Sequence, residues 1–266
     1  MAERGIPQAT GATHAARGTA ASAAAIARAQ VVKFSLLALT VGTSSLAAQP
    51  LTTERSATLA QLFSAADSHT LEHTLPADRA IHYRVREPAG GARGVFVYVS
   101  PTDSGELPAD WAEVIDRQQL LYVAADGFGN SRPTAQRVLA ALAADRLARQ
   151  AGVKDERRYI VGMSGGGRVA SQVLTHFPQV FKGAICIAGA DYFMPQDEAQ
   201  RAVVGARRLV LLTGSRDFNQ REMQLVSRRY QQSGLPRVLL MDLPQFAHQL
   251  PDAAQLSQAL AFLDTN

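Results

Sequence analysis

Residues 158–167 read Arg-Tyr-Ile-Val-Gly-Met-Ser-Gly-Gly-Gly. The apolar run before Gly162 predicts a strand that is buried on both faces, and apolar residues recur at helical spacing from Gly167 to Phe177. Ser164 therefore occupies a sharp turn from strand to helix, where glycines on both sides leave room for a crowded backbone. Such a turn holds a serine hydroxyl clear of the sheet, within reach of a substrate.

Outward from this turn, strand and helix patterns alternate along the chain. This alternation indicates an α/β fold, with a mostly parallel sheet of about eight strands and helices on both faces. The ligand site of such a sheet lies beyond the C-terminal ends of its strands. Strands are predicted at 70–75 and 80–86, as a hairpin, and at 94–99, 120–125, 158–162, 183–188, 208–213 and 237–242; helices are predicted at 134–151, 167–177, 220–232 and 253–263.

A base and an acid that would activate Ser164 follow the later strands. A serine hydroxyl is a poor nucleophile until a neighbouring base takes its proton. In turns of this kind the partners come in the chain order serine, acid, histidine. Asp217 follows one predicted strand, Asp191 follows the strand before it, and His248 follows the last. We predict a catalytic triad of Ser164, Asp217 and His248, with Asp191 as the alternative acid.

Two backbone N–H groups are needed to bind the oxyanion of a tetrahedral intermediate. The first should belong to Gly165, directly after the nucleophile. The second should come from the loop that follows the strand 94–99. Because Pro101 has no N–H, we choose Thr102, and Ser100 or Asp103 stays an alternative.

The N-terminal segment, residues 1–48, is predicted to lie outside the folded domain of 49–266. Residues 1–30 are rich in Ala, Gly and Thr and have no amphipathic period. Lys33 and the apolar stretch 34–46 precede small residues, as in a cleavable secretory signal, and the stretch is too short to span a membrane. We expect a secreted or periplasmic protein with no stable membrane anchor after cleavage.

Composition and charge exclude several classes of partner. The formal net charge is +4, but the segment 1–47 contributes three of those charges, and the rest are interspersed. We therefore expect no nucleic-acid binding. Ligand-spaced clusters, phosphate loops and dinucleotide motifs are absent from the sequence, so we predict no metal and no cofactor. The one cysteine, Cys186, sits in an apolar run and is expected to be buried.

From about position 80 to its end, the chain resembles the α/β-hydrolase superfamily. It is most similar to secreted bacterial esterases of the poly(3-hydroxybutyrate) depolymerase and feruloyl-esterase group. The points of similarity are the signal segment, the Gly-Met-Ser-Gly-Gly-Gly turn and the short Gly-Ser-Arg-Asp217 acid loop. The resemblance implies hydrolysis of carboxylic esters through an acyl-enzyme. Such esterases often have a His-Gly pair where this chain has Ser100-Pro101.

The substrate is expected to reach a largely open site. The only segment that could form a cap is 191–207, which is short, so we predict little or no lid and a small-molecule or polymer-end ester as substrate. Tyr192 and Phe193 lie in that segment, and Trp111 and Phe128 flank the strand 120–125. These four aromatic residues are our candidates for substrate contacts, with packing against the sheet as the alternative for Trp111 and Phe128.

Two other functions are compatible with the same residues. One is a peptidase of the same fold, although nothing in the sequence resembles a large substrate-gating domain. The other is a catalytically silent protein of this fold that serves in binding. The sequence favours the enzyme, because it keeps all three triad candidates and the glycines around Ser164.

Overall fold

Eight strands and eight α-helices are formed by the part of the chain that this computed structural model describes, residues 51–153, 157–233, 235 and 237–265. The predicted N-terminal segment 1–48 lies outside these residues. The strands are β1 (Thr52–Thr58), β2 (Ala80–Arg86), β3 (Gly94–Val99), β4 (Leu120–Ala125), β5 (Arg158–Met163), β6 (Gly183–Ile187), β7 (Arg208–Arg216) and β8 (Val238–Ala247). The helices are α1 (Leu59–Leu62), α2 (Ala65–Leu71), α3 (Ala112–Arg117), α4 (Thr134–Gln150), α5 (Gly165–His176), α6 (Glu198–Gly205), α7 (Gln220–Gln232) and α8 (Ala253–Asp264), and a 3₁₀ turn, Ala109–Trp111, precedes α3.

The strands form one sheet in the order β1-β2-β4-β3-β5-β6-β7-β8. The pairs β1–β2 and β2–β4 are antiparallel, and every other neighbouring pair is parallel. The predicted α/β class and the eight-stranded, mostly parallel sheet are therefore confirmed. Because β3 and β5 to β8 run the same way, their C-terminal ends meet at one edge of the sheet.

The predicted hairpin strand at 70–75 is wrong. Thr70 lies in α2, and β1 is the strand that pairs with β2, in the register Thr52↔Arg86. The Ser64 side chain accepts a hydrogen bond from the N–H of Asp67 and so caps the start of α2. Five of the seven residues of β1 are exposed, so this edge strand lacks the apolar pattern that would have revealed it.

The helices cover both faces of the sheet, and each face has its own apolar core. On one face, α4, α5 and α7 pack on the strands, and on the other face α3 and α8 do so. The side chain of Cys186 lies in β6 on the first face and is completely buried, as predicted. Burial raises the pKa of its thiol, so the group stays protonated in the folded protein.

A buried ion pair fixes α4 to β5. The Nε of Arg158, in β5, donates to Oδ1 of Asp145, in α4, at 2.6 Å, and its Nη2 donates to the Asp145 carbonyl at 3.1 Å. The two side chains are only 1% and 3% exposed. Charges buried to this extent need such a partner, so the pair adds a polar contact to the apolar packing of α4 on the sheet.

The connection between β6 and β7 runs over residues 188–207 and contains one helix, the eight-residue α6. In the described ranges, no helix has the length and apolar character needed to cross a membrane.

Candidate active site

Ser164 lies on the turn between β5 and α5 in a backbone conformation that is rare for a residue with a side chain. Its φ is 54° and its ψ is −119°. Its N–H donates to the carbonyl of Ile187, at the end of β6, at 2.7 Å, and its own carbonyl accepts from the N–H of Arg168 at 3.2 Å. Strain of this kind persists only where surrounding structure holds it, and it is concentrated at functional sites. The predicted turn is therefore present, with its hydroxyl at the C-terminal edge.

The glycines around Ser164 are required by close contacts. A Cβ on Gly166 would lie 1.9 Å from the carbonyl oxygen of Val99, at the end of β3. A Cβ on Gly165 would lie 2.2 Å from Oδ1 of Asn130, in the loop after β4. Real Cβ atoms do not approach other atoms this closely. The start of α5 thus packs directly against the end of β3 and the loop after β4.

Asp217 and His248 are hydrogen-bonded to each other beyond the ends of β7 and β8. Nδ1 of His248 lies 2.9 Å from Oδ1 of Asp217. The carboxylate, whose side chain has no exposed surface, also accepts from the N–H of Asn219 at 3.0 Å and from Oγ1 of Thr213 at 2.7 Å. A carboxylate held by three donors fixes the orientation of the imidazole ring and leaves Nε2 for another partner.

A second link connects the acid loop to the neighbourhood of Ser164. Nδ2 of Asn219 donates to the carbonyl of Ala188 at 2.9 Å. The next residue, Gly189, approaches Ser164 so closely that a Cβ on it would lie 2.9 Å from the Cα of Ser164. The turn after β6 therefore lies between the predicted nucleophile and the loop that carries Asp217.

The alternative acid, Asp191, has a different partner. Its Oδ1 accepts from Nη1 of Arg168 at 2.6 Å, and Nη2 of Arg168 donates to Glu222 at 2.9 Å. The two carboxylates raise the pKa of this guanidinium, with hydrogen bonding to Glu222 as the main cause. Asp191 thus belongs to a partly exposed ion-pair cluster on α5 and α7, whereas Asp217 contacts the histidine.

The ring of Phe218 stacks on the imidazole of His248. The two ring centroids are 4.1 Å apart with an interplanar angle of 22°, and Phe218 is 77% exposed. An apolar ring this exposed, directly after the acid, shields one face of the imidazole and leaves the rest of its own surface open to solvent. Sequence reasoning did not identify Phe218, because a single aromatic residue in a loop carries no pattern.

The two predicted oxyanion donors are in different situations. Gly165 is the first residue of α5, so its N–H has no partner within the helix. The N–H of Thr102 donates to Oγ of Ser100 at 3.1 Å, within the loop that follows β3. Thr102 would have to share or give up that hydrogen bond in order to bind an oxyanion.

Trp111 and Phe128 are both packed against the sheet. Trp111 has no exposed surface, so in this conformation it offers nothing to a substrate, contrary to our prediction. Its indole packs edge-on against Phe96 and Tyr98, and its Nε1 donates to the carbonyl of Pro251 at 2.8 Å. Trp111 therefore holds the loop that carries His248. Phe128 is half-buried and packs on the core between the sheet and α4.

Tyr192 and Phe193 pack towards α5 and α7. The ring of Tyr192 contacts that of Tyr230 edge-on at 5.0 Å, and the ring of Phe193 contacts His176 edge-on at 5.2 Å. Both residues keep part of their surface exposed. Their predicted contact with a substrate stays a prediction.

A cleft of about 220 Å³ opens beside Gly165, between the loop after β4 and α5. Its lining is largely polar and includes Asn130, Arg168, Gln172 and Asp191. Sequence reasoning also missed Asn130, although its position after β4 at the C-terminal edge is a signal that could have found it. A second missed residue, Arg137, lines the same cleft from α4.

Comparisons with known proteins identify the fold. No family model matches the chain, and no curated protein matches it. Among solved structures, a ferulic acid esterase superposes with a TM-score of 0.59 at 16% identity, over 81% of this chain and 97% of that one. A dienelactone hydrolase from Anabaena variabilis gives 0.56 at 13%, over 81% and 97%. An acylaminoacyl peptidase from Pyrococcus horikoshii gives 0.51 at 16%, over 64% of this chain but only 36% of the peptidase.

The chain thus has the α/β-hydrolase fold, as the sequence predicted. Together with an S-formylglutathione hydrolase from Staphylococcus aureus, these structures are 12–16% identical to the chain, and such identities establish the fold and not the reaction. The reaction has to be argued from the residues at the C-terminal edge of the sheet.

Proposed function

We propose that this protein is a serine hydrolase that cleaves carboxylic esters, with Ser164 as nucleophile, His248 as general base and Asp217 as the residue that orients the base. The observation that carries the proposal is the hydrogen bond between Asp217 and His248, at 2.9 Å, on the same sheet edge as the strained turn of Ser164. A hydrogen-bonded acid and base and a partly buried turn serine at one sheet edge supply the three groups that a serine hydrolase uses to activate a hydroxyl.

The reaction would proceed in two halves. The Ser164 oxygen attacks the ester carbonyl carbon while Nε2 of His248 takes its proton, and the negative charge forms on the carbonyl oxygen. Collapse of this intermediate breaks the ester bond, and the alcohol leaves with the proton from His248. Water then attacks the acyl-enzyme by the same route, which releases the acid and restores the serine. The N–H of Gly165 is our first oxyanion donor, and Thr102 is the second.

The substrate is proposed to be an ester with a small or polar acyl part. The cleft beside Gly165 has a volume of about 220 Å³ and a largely polar lining, which suits a short or hydroxylated chain better than a long alkyl chain. The connection between β6 and β7 contains α6 as its one helix, which supports a site without a large lid, as a soluble or polymer-end ester requires. The likeness to a ferulic acid esterase supports the feruloyl-esterase and poly(3-hydroxybutyrate) depolymerase group as the first place to look.

The nucleophile is tested with a fluorophosphonate probe and short-chain p-nitrophenyl esters. Wild-type protein should turn over the esters and be labelled, and Ser164→Ala should lose both activities. Ser257→Ala is a matched control, since the Ser257 hydroxyl donates to the carbonyl of Ala253 within α8. Absence of labelling and turnover in the wild type would favour the silent binding protein instead.

A peptidase of the same fold is the second candidate, because an acylaminoacyl peptidase is among the structural neighbours. The chain spans only 36% of that neighbour, so the likeness is restricted to part of it. Acyl p-nitroanilides that match the p-nitrophenyl esters separate the two functions. We expect ester turnover to exceed amide turnover by several orders of magnitude, and comparable rates would favour the peptidase.

We further propose that the protein is secreted or periplasmic. The proposal rests on Lys33 and the apolar stretch 34–46 followed by small residues. Expression of the full chain and N-terminal sequencing of the exported product should give a new terminus after Ala47 or Ala48. A product that stays in the cytoplasm with residues 34–46 intact would contradict it.

A further inference from the structure

The side chain of Arg137 joins three loops at the C-terminal edge of the sheet. Arg137 is the fourth residue of α4 and is only 5% exposed. Its Nη2 donates to the carbonyl of Ser100 at 3.0 Å, its Nη1 to the carbonyl of Gly165 at 3.2 Å, and its Nε to the carbonyl of Phe128 at 3.1 Å. One planar guanidinium therefore spans the loops after β3 and β4 and the turn of Ser164.

Stability alone is a poor reason for a cation in this place. Among the described residues, no carboxylate forms an ion pair with Arg137, whereas the other buried arginine, Arg158, is paired with Asp145. Burial lowers the pKa of the Arg137 guanidinium, which reflects the cost of desolvating its charge. The first turn of a helix is also the end where the backbone dipole disfavours a positive charge. The free-energy cost of burying the Arg137 charge therefore favours a functional role for that charge in the candidate active site.

The loops after β3 and β4 are already bound to each other without Arg137. The N–H of Gly129 donates to Oδ1 of Asp103 at 2.9 Å, and the N–H of Asn130 donates to the carbonyl of Pro101 at 2.9 Å. These two loops therefore behave as one unit. The backbone contact of Gly166 with Val99 already joins the turn of Ser164 to the end of β3. Arg137 adds hydrogen bonds that connect the loops beyond that contact, through the carbonyls of Ser100 and Phe128, to the carbonyl of Gly165.

We propose that Arg137 is a positioning residue for the oxyanion hole: it sets the separation between the loop after β3 and the N–H of Gly165, and it places a positive charge behind the developing oxyanion. This inference rests on the proposed function, since both oxyanion donors belong to it. Gly165 supplies one donor, and the loop that starts at Ser100 supplies the other. A shift of Gly165 or of the loop that starts at Ser100 would weaken binding of the transition state more than binding of the substrate.

Arginine suits this role and lysine does not. The guanidinium offers five N–H groups in a rigid plane, so it can address three carbonyls at fixed angles. An ammonium keeps the charge but has no fixed donor plane. Arg137→Lys should therefore separate the contribution of the charge from that of the geometry, and Arg137→Met, of similar length, removes both.

The test compares these two variants with Arg132→Met, a matched control. Arg132 lies in the loop between β4 and α4 and is half-buried, and its side chain donates from Nε to the carbonyl of Gly127 at 2.9 Å. The fraction of active enzyme is first titrated with the fluorophosphonate, so that kcat is expressed per reactive Ser164. A boronic acid inhibitor, which forms a negatively charged tetrahedral adduct on the serine, then measures binding of the oxyanion itself.

Arg137→Met should lower kcat per titrated site by about 100-fold or more, the effect of losing an oxyanion donor, with KM changed by less than about 3-fold. The inhibition constant of Arg137→Met for the boronic acid should rise by a similar factor. The kcat and the inhibition constant of Arg137→Lys should lie between those of wild type and Arg137→Met. Both values of Arg132→Met should equal those of wild type.

Two outcomes overturn the inference. If Arg137→Met loses only thermal stability and keeps the wild-type kcat per titrated site, Arg137 is structural, although the proposed function stands. If wild-type protein is neither labelled nor active, the proposed function fails, and the role of Arg137 fails with it.

Discussion

At the scale of single residues, the Asp217 carboxylate is the most completely bound group of the site, with donors from Thr213, Asn219 and His248. Asp217→Asn replaces one acceptor oxygen by an NH₂ group, which favours the wrong tautomer of the imidazole. We expect kcat for p-nitrophenyl esters to fall by roughly 10³- to 10⁴-fold while the fold is kept. Steady-state kinetics and circular dichroism of the purified variant would measure both.

The matched control for that change is Asp191→Asn. The Asp191 side chain is 43% exposed, and its partner Arg168 keeps Glu222, so kcat should stay within about 3-fold of wild type. Because Asp191 lines the cleft beside Gly165, an effect of this change on substrate binding should fall on KM. The reverse ranking of the two variants would move the acid to the turn after β6.

The sequence identifies some residues of the site and not others, for a physical reason. Ser164, Asp217 and His248 each follow a predicted strand, and their chain order is itself a signal. Arg137 lies within a helix rich in Ala, Leu and Arg, where an arginine that faces solvent and one that faces three carbonyls look the same. Thr102 could be chosen only by excluding Pro101, since a loop conformation depends on contacts that are distant in sequence.

At the scale of elements, α5 and β3 touch backbone to backbone at Gly166 and Val99. A methyl group at Gly166 would lie 1.9 Å from the Val99 oxygen, and neither backbone can move alone. Gly166→Ala should therefore lower the free energy of unfolding by about 3 kcal/mol, as an overpacked contact does. Urea denaturation would measure the loss.

Gly205→Ala is the control for this change. A Cβ on Gly205, the last residue of α6, would meet only Cδ2 of Leu235 at 3.8 Å, so stability should change by no more than about 0.5 kcal/mol. If Gly166→Ala and Gly205→Ala changed the free energy of unfolding equally, the close contact between Gly166 and the Val99 carbonyl would be contradicted.

Trp111 connects the 3₁₀ turn before α3 to the loop after His248. Trp111→Phe keeps an aromatic ring in the core but leaves the Pro251 carbonyl without its donor. We expect a loss of about 1–3 kcal/mol in the free energy of unfolding, together with a lower kcat because the histidine loop is held less firmly. An unchanged melting temperature would show that water replaces the indole N–H at no cost.

The burial and the length of each element explain which parts of the fold the sequence predicts. Strands β3 to β7 are buried on both faces and read as apolar runs, so their positions follow from the sequence. Strand β1 is an edge strand with mostly exposed residues, and α1, α2 and α6 are too short for a periodic pattern. Their place is set by caps and neighbours, such as the Ser64 cap of α2.

At the scale of the whole molecule, the buried pair of Asp145 and Arg158 couples the helical layer to the sheet. Asp145→Ala would remove the carboxylate that accepts from Arg158 and Arg149, in an interior where the Arg158 side chain is 1% exposed. The free energy of unfolding should fall by about 2–3 kcal/mol, as expected for the loss of buried hydrogen bonds to a charged group. Thermal and denaturant unfolding would measure it.

The exposed pair of Glu113 and Arg117 gives the comparison. Glu113 is 84% exposed and lies 3.4 Å from Arg117, so Glu113→Ala should cost about 0.5 kcal/mol or less. If Asp145→Ala and Glu113→Ala lowered the free energy of unfolding equally, the buried pair would not stabilise the packing of α4 on the sheet.

The completely buried thiol of Cys186 in β6 is a built-in chemical probe of structural opening. Cys186 is the only cysteine of the chain, so an alkylating reagent has a single place to react. That reaction requires the sheet to open and the thiol to ionise, because burial holds the thiol protonated in the closed form. The rate of alkylation in native buffer would therefore report the opening of the structure around β6, without denaturant and without any engineered probe.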